Sequence, residues 1–84
     1  MSYSVNMARR ARKGLAGVPD PAYEKVKEVV KGFVENPRPH GCKKLVNRPG
    51  WRIRIGDYRI VYEIDDEKKA VEILDIGHRR YIYH

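Results

Sequence analysis

The chain has 84 residues, of which 18 are Lys or Arg and 11 are Asp or Glu, so that its formal net charge is +7. This length fits one domain over residues 1–84, and no apolar run approaches the roughly 20 residues that cross a bilayer, so we expect a cytoplasmic protein that does not span a membrane. The single cysteine excludes an internal disulfide, and the three histidines lack zinc-ligand spacing. The positive charge indicates a polyanionic partner, which is nucleic acid, an acidic protein or an anionic membrane surface.

The N-terminal half predicts one strand followed by two helices. Apolar and polar side chains alternate over residues 3–7, which is typical of a strand, and helical spacing follows over residues 8–16. Asp20 is a suitable N-cap with Pro21 at the first helical position, so a second helix is predicted from there to Asn36-Pro37. One apolar stripe of this helix is predicted to be buried, and it comprises Val26, Val29, Val30, Phe33 and Val34.

The C-terminal half predicts strands. Residues 38–50 are predicted to be mostly loop, with a short strand over residues 43–46. Residues 51–55 and 58–64 alternate with period two around Gly56-Asp57, which predicts a hairpin, and residues 70–76 predict a central strand. The order β-α-α-β-β-β indicates an α+β fold: a small antiparallel sheet of four to five strands with two N-terminal helices packed on one face.

The excess positive charge is concentrated around this hairpin. Residues 38–59 contain seven basic side chains and one acidic side chain. If Gly56 and Asp57 form the turn, Arg54 faces Arg59, and Arg52 lies on the same face of the sheet. Arginine offers planar, bidentate donors that match phosphate, so these three residues predict a phosphate-binding surface.

The same region resembles a known family. The run from Trp51 to Ile64 (WRIRIGDYRIVYEI), the segment 76–80 (IGHRR) and a tyrosine near the end resemble the RelE family of bacterial and archaeal toxins. The resemblance implies a compact sheet with two N-terminal helices. It also implies the toxin of a type II toxin–antitoxin module, a ribosome-dependent endoribonuclease that cleaves mRNA in the A site and inhibits translation.

The resemblance implies a catalytic set, for which it places Arg52 and Arg54 beside the scissile phosphate. Arg59 and Arg79 correspond to further phosphate-binding arginines, and Tyr83 to a tyrosine that stacks on a base or transfers a proton. The implied reaction is attack of the 2′-hydroxyl on the adjacent phosphate, which is independent of metal ions and of any cofactor.

The general base is not assigned by these residues. The best-known family members have lysines at the positions of Arg52 and Arg54, and arginine is a poor base. Tyr83 is one candidate, if neighbouring guanidinium groups lower its pKa, and His78 is another, although it could also cap a strand end. Tyr81 replaces an acidic residue common in relatives and could belong to the core.

Further basic residues are candidates for RNA binding. Those of the first helix form either a solvated face or contacts with ribosomal RNA. Trp51 could stack on a base, but its phase with Ile53 and Ile55 favours the core. The predicted RNA-binding residues are Arg9, Arg10, Arg12, Lys13, Lys43, Lys44, Arg48 and Arg80.

Two other functions stay open. A ParE-like toxin shares this fold and inhibits DNA gyrase without ribonuclease activity, and a degenerate toxin would bind RNA without cutting it. The expected partners are an acidic, RelB-like antitoxin, the A site of the 30S ribosomal subunit, and mRNA. We expect a monomer when the toxin is free and a heteromeric complex with the antitoxin.

Overall fold

The computed structural model describes residues 2–78 and residue 80, and over this part of the chain it contains two helices and five strands. In chain order they are β1 (Ser4–Met7), α1 (Arg9–Ala16), α2 (Ala22–Gly32), β2 (Lys43–Lys44), β3 (Trp51–Ile55), β4 (Tyr58–Asp65) and β5 (Ala70–His78). The predicted α+β class and the predicted order of elements are confirmed. Neither described helix is long and apolar enough to cross a bilayer.

The five strands form one sheet in the order β1-β5-β4-β3-β2. Strands β2, β3, β4 and β5 pair with one another in antiparallel fashion, whereas the edge strand β1 pairs with β5 in parallel. The sheet is therefore mixed and not purely antiparallel as predicted. The difference arises because β1 meets β5 only after both helices have intervened, and an alternating pattern does not encode the direction of a distant partner.

Helix α1 continues the edge of the sheet where β1 ends. The register of β1 on β5 stops at Met7 opposite Ile73, and the Ala8 N–H then donates to the Ile73 carbonyl at 2.8 Å. Farther along α1, Gly14 lies so close to β5 that a Cβ would collide with the carbonyl oxygen of Ile76. Glycine at this position lets the helix cover the edge of β5.

Helix α2 is shorter than predicted at both ends. It begins at Ala22 without a side-chain cap, so the N-cap predicted at Asp20 is wrong. The Pro19 carbonyl instead accepts the Tyr23 N–H at 3.0 Å, so a backbone turn satisfies this donor. The helix ends at Gly32, because the Glu35 and Asn36 N–H groups both turn back to the Gly32 carbonyl.

The main core lies between the helices and one face of the sheet. Phe33 packs on Tyr62 with ring centroids 4.3 Å apart, and the Tyr62 hydroxyl donates to the Pro37 carbonyl at 2.8 Å. Burial raises the pKa of Tyr62 well above its ordinary value, so it stays a neutral donor. The predicted α2 stripe packs here, with Val26 and Phe33 fully buried. The largest fully buried side chains are Tyr62, Phe33, Ile60, Ile73, Ile76, Val26 and Val71.

A β-bulge in β5 sets which residues face the core. Tyr62 of β4 pairs with Ile73, whereas the adjacent Val61 pairs with Asp75, so Leu74 is the extra residue. The bulge shifts the alternation by one, and Ile73 and Ile76 are therefore both buried on the helix side. Without it, Ile76 would lie on the opposite face of the sheet.

The opposite face of the sheet, called here the open face, has a small apolar cluster of its own. Leu45 and Val61 are buried there against Leu74. The Leu45 N–H donates to the Gly50 carbonyl at 3.0 Å, which closes a turn immediately after β2. This turn explains why β2 ends at Lys44 and not at Val46 as predicted.

Candidate nucleic-acid interface

The β3–β4 hairpin has the predicted register. Ile55 pairs with Tyr58 across the Gly56-Asp57 turn, and Arg54 pairs with Arg59. Arg52 pairs with Val61. Because side chains alternate between faces, Arg52, Arg54 and Arg59 share the open face, and we call these three residues the arginine trio.

The arginine trio is held by the hairpin itself. Arg54 is exposed, and its Nε donates to the Gly56 carbonyl at 2.9 Å, which directs the guanidinium toward the turn. The four N–H groups on the terminal nitrogens of Arg54 lie outside that bond. Arg52 and Arg59 are half-buried, and their Nε atoms are inaccessible to solvent, so their stems lie along the sheet. Three cationic groups are thus concentrated on adjacent strands.

The end of β5 places Gly77 beside the trio and His78 away from it. Arg59 pairs with Gly77, so β5 itself contributes no side chain to the open face at that position. His78 pairs with Tyr58 on the helix-covered face, with ring centroids 5.5 Å apart, and its Nδ1 accepts the Arg80 N–H at 3.2 Å. His78, a candidate base from the sequence, therefore lies on the face opposite the arginine trio.

The predicted basic residues of β2 lie on the edge strand next to β3, and consecutive residues of a strand point to opposite faces of the sheet. Lys43 pairs with Arg52, which extends the positive charge of the open face to the edge strand. Lys44 pairs with Trp51 and has its Nζ 5.5 Å from the centre of that ring. Trp51 itself packs against the main core, as its phase predicted.

The basic residues of α1 are all exposed. Arg10 is paired: its Nε lies 3.2 Å from Oδ2 of Asp75, whose side chain is only 17% exposed. This ion pair links α1 to β5 and offsets a negative charge two positions from Gly77. Arg48 and Arg80 are also exposed, outside the strands. The predicted set is thus spread over α1, β2 and two loops, and only Lys43 is in register with the trio. The α1 members are Arg9, Arg10, Arg12 and Lys13.

Sequence reasoning missed a polar cluster that joins three distant segments. Asp66 accepts two hydrogen bonds from Arg38, at 2.8 and 3.2 Å, and one from the Tyr3 hydroxyl at 2.7 Å. The hydrogen bonds from Arg38 and Tyr3 lower the pKa of Asp66 to about 2. Arg38 also lies over Trp51, with Cζ 5.0 Å from the ring centre. No local pattern could have revealed this cluster, because its members are joined only by the fold.

The far end of the open face is acidic. Glu63 of β4 pairs directly with Glu72 of β5. Together with the β4–β5 turn they border a surface depression of about 570 Å³. Its acidic lining residues are Glu63, Asp65, Asp66, Glu67 and Glu72.

Three residues that the resemblance singled out, Arg79, Tyr81 and Tyr83, lie outside the described residues. Within residues 2–78 and 80, no group of three or more His, Cys, Asp or Glu side chains is arranged to hold a metal ion.

Comparison with known proteins identifies the family. Toxin RelG of Mycobacterium tuberculosis is 34% identical over 86 residues, which cover 99% of this chain and 98% of RelG. A family model described as the ParE toxin of the type II toxin–antitoxin system parDE matches residues 5–83. The chain belongs to the RelE/ParE superfamily of type II toxins. The match includes all five positions that the resemblance assigned to catalysis.

Solved RelE structures share the fold of this toxin. In the toxin–antitoxin complex RelBE2 from M. tuberculosis, the matching chain is 32% identical with a TM-score of 0.81, and the match covers 94% of this chain and 100% of that one. In the archaeal RelE–RelB complex from Pyrococcus horikoshii, identity is 26% and the TM-score 0.83, with 96% and 99% coverage. The chain is thus a RelE-family toxin of a type II toxin–antitoxin system.

Proposed function

We propose that this toxin is a ribosome-dependent endoribonuclease that cleaves mRNA in the ribosomal A site and thereby inhibits translation. The observation that carries the proposal is the arginine trio, in which Arg54 and Arg59 pair directly and Arg52 shares their face. Such a substrate implies action in the cytoplasm, where ribosomes translate. Like charges at paired positions cost up to about 1 kcal/mol, and a bound phosphodiester would offset that cost.

The proposed reaction is an internal transesterification. The 2′-oxygen attacks the adjacent phosphorus while the bond from phosphorus to the 5′-oxygen breaks, leaving a 2′,3′-cyclic phosphate and a 5′-hydroxyl. A base accepts the 2′-proton and an acid protonates the leaving 5′-oxygen. The arginine trio would stabilise the charge that develops on phosphate, at about 3 kcal/mol for each well-placed donor.

The remaining roles follow the family resemblance. Arg79 is proposed as a fourth phosphate ligand and Tyr83 as the group that stacks on a base or transfers a proton. His78 has less support as the base, because it pairs with Tyr58 on the other face of the sheet. The proposed chemistry needs neither a metal ion nor a cofactor, since arginines supply the positive charge.

The test is in-vitro translation followed by primer extension on the mRNA. Wild-type toxin should cut within the A-site codon, and Arg59→Gln should cut far more slowly. Lys25→Gln is the matched control, because it removes one positive charge from the exposed surface of α2. The proposal fails if wild-type toxin leaves ribosome-bound mRNA intact, or if Arg59→Gln cuts as fast as Lys25→Gln.

A second candidate function is inhibition of DNA gyrase, which the match to the ParE family model favours. It requires no basic sheet face of this form. A supercoiling assay tests this function: inhibition of gyrase by wild-type toxin and equally by Arg59→Gln would support it, and intact ribosome-bound mRNA in the translation assay would then exclude the ribonuclease.

We also propose an acidic, RelB-like antitoxin as the partner of this toxin. The support is its net charge of +7 and its similarity to RelE toxins solved in complex with RelB antitoxins. We expect the adjacent reading frame to encode a short acidic protein, and co-expression with it should neutralise the toxin and yield a stable heteromer. The proposal is wrong if the adjacent frame encodes no such protein and the toxin alone is harmless.

A further inference from the structure

Gly77 lies in one row with the two central arginines of the trio. Arg54 of β3 pairs with Arg59 of β4, and Arg59 pairs with Gly77 of β5. Neighbouring strands are about 4.8 Å apart, so Gly77 lies about that distance from the backbone of Arg59. The row therefore consists of two cationic side chains followed by a half-buried glycine, which has no side chain of its own.

The backbone does not require glycine at this position. The described glycines with positive φ are Gly41, Gly50 and Gly56, whereas Gly77 lies within extended strand β5. Glycine weakens a strand interior, and there it commonly marks a site where a ligand or another backbone approaches closely. Gly14 is accounted for by the close approach of α1 to Ile76, but the alternation of β5 directs position 77 toward the open face.

The β-bulge at Leu74 is what brings Gly77 into this row. Without the extra residue, Ile76 would pair with Arg59, and its branched side chain would cover the surface beside the guanidinium. With it, Ile76 is buried in the core and Gly77 takes the place beside Arg59. The nearest acidic residue on β5, Asp75, has its charge offset by Arg10.

We propose that Gly77 forms the floor of the RNA site, where a phosphodiester of the bound strand rests directly on the backbone of β5 beside Arg59. This inference rests on the proposed ribonuclease function and adds a residue that determines how closely the RNA approaches. A Cβ branch at position 77 would lift the phosphate away from the sheet. Because hydrogen bonds are lost beyond about 3.5 Å, this displacement would break the contact with the Arg59 guanidinium.

The test compares full-length wild-type toxin with Gly77→Ala and Gly77→Val. The probe is a fluorescent RNA oligonucleotide whose 2′-hydroxyls are methylated, so that it binds without being cleaved, and affinity is measured by anisotropy at several salt concentrations. The matched control is Ala70→Val, which adds volume on the same strand at the acidic end of the open face. Thermal unfolding is recorded for all four proteins.

We expect Gly77→Val to weaken binding about tenfold or more, the loss that corresponds to one charge-assisted hydrogen bond, with Gly77→Ala intermediate and Ala70→Val unchanged. The slope of log affinity against log salt should fall by about 0.7 for Gly77→Val, since one phosphate contact is lost on a single strand. The melting temperature of Gly77→Val should equal or exceed that of wild type, because valine favours strands.

Two results would overturn the inference. One is wild-type affinity in Gly77→Val. The other is a lower melting temperature or failure to fold in both Gly77 variants, which would show that the position is needed for packing. If wild-type toxin itself does not bind the probe and does not cleave mRNA on ribosomes, the proposed function fails together with the inference, and this outcome is distinct from the other two.

Discussion

The two ends of the open face are built on the same strands and carry opposite charge. At the hairpin end, Arg54 pairs with Arg59, and four residues farther along β4, about 13 Å away, Glu63 pairs with Glu72. Both pairs place like charges on adjacent strands, which destabilises a sheet. Exchanging one member of each pair would give two favourable pairs. The stability of the sheet does not account for this segregation, whereas the proposed phosphate ligand accounts for the arginine pair at the basic end.

The two ends also differ in how their charges are compensated. Asp66 at the acidic end is held by Arg38 and Tyr3, and the depression there is bordered by further carboxylates. At the basic end, the Arg54 Nε is bonded to a neutral carbonyl, Gly56 O. A carboxylate of the acidic end is thus paired with a cation within the fold, whereas the hydrogen bond of Arg54 to the turn is made with a neutral acceptor.

The largest expected effect is a difference in cleavage rate between two variants, each of which removes one charge from one of these pairs. Arg59→Gln should lower single-turnover cleavage on ribosomes about 100- to 1,000-fold, the cost of losing one donor to the transition state. Glu63→Gln, on the same strand and face, should leave cleavage unchanged. Both variants should gain up to about 1 kcal/mol in the free energy of unfolding, measured in urea, because each relieves a like-charge pair. Equal cleavage rates in the two variants would contradict the contrast between the ends.

A charge reversal at the basic end tests the same contrast through binding. Arg54→Glu creates a favourable pair with Arg59, so its free energy of unfolding should rise by about 0.5 to 1 kcal/mol. Its affinity for the methylated RNA should fall about tenfold or more, with a shallower salt dependence. A stabilised variant that binds RNA as wild type does would show that the trio is only a surface feature.

The hairpin end could be predicted from the sequence because its determinants are local. The Gly56-Asp57 turn fixes the register, and period-two alternation then places Arg52, Arg54 and Arg59 on one face. Arg79 and Tyr83 were obtained from the family resemblance alone, and their roles stay predictions.

The features that escaped prediction depend on contacts between distant segments. The parallel pairing of β1 with β5 follows from a crossover through both helices, and the bulge at Leu74 is what allows Ile73 and Ile76 both to pack in the core. That bulge decides that Gly77, and not Ile76, pairs with Arg59, and it places His78 on the helix-covered face. The side of the sheet that His78 occupies therefore could not be read from its neighbours in sequence.

A reversal at the acidic end should have a moderate effect. Glu63→Lys places a cation opposite Glu72 and extends the positive surface along β4, so it should stabilise the fold by about 0.5 kcal/mol. RNA affinity should increase severalfold at low salt, and the slope of log affinity against log salt should steepen by about 0.7 if the new lysine contacts one phosphate. Glu67→Gln, in the β4–β5 turn, is the control for simple loss of negative charge. An unchanged slope would mean that RNA does not extend past Val61.

The smallest expected effect concerns the compensated carboxylate, Asp66, whose pKa is lowered to about 2 by hydrogen bonds from Arg38 and Tyr3. A carboxyl with a lowered folded-state pKa stabilises the fold above its unfolded value of about 3.8 and loses that contribution as pH falls toward about 2. Asp66→Asn should therefore melt slightly below wild type at pH 7, and the difference in melting temperature should shrink between pH 4 and pH 2. Glu67→Gln, one residue along the same turn, should show no such convergence. A difference between wild type and Asp66→Asn that stays constant with pH would mean that the cluster acts through the shape of the side chain and not through its charge.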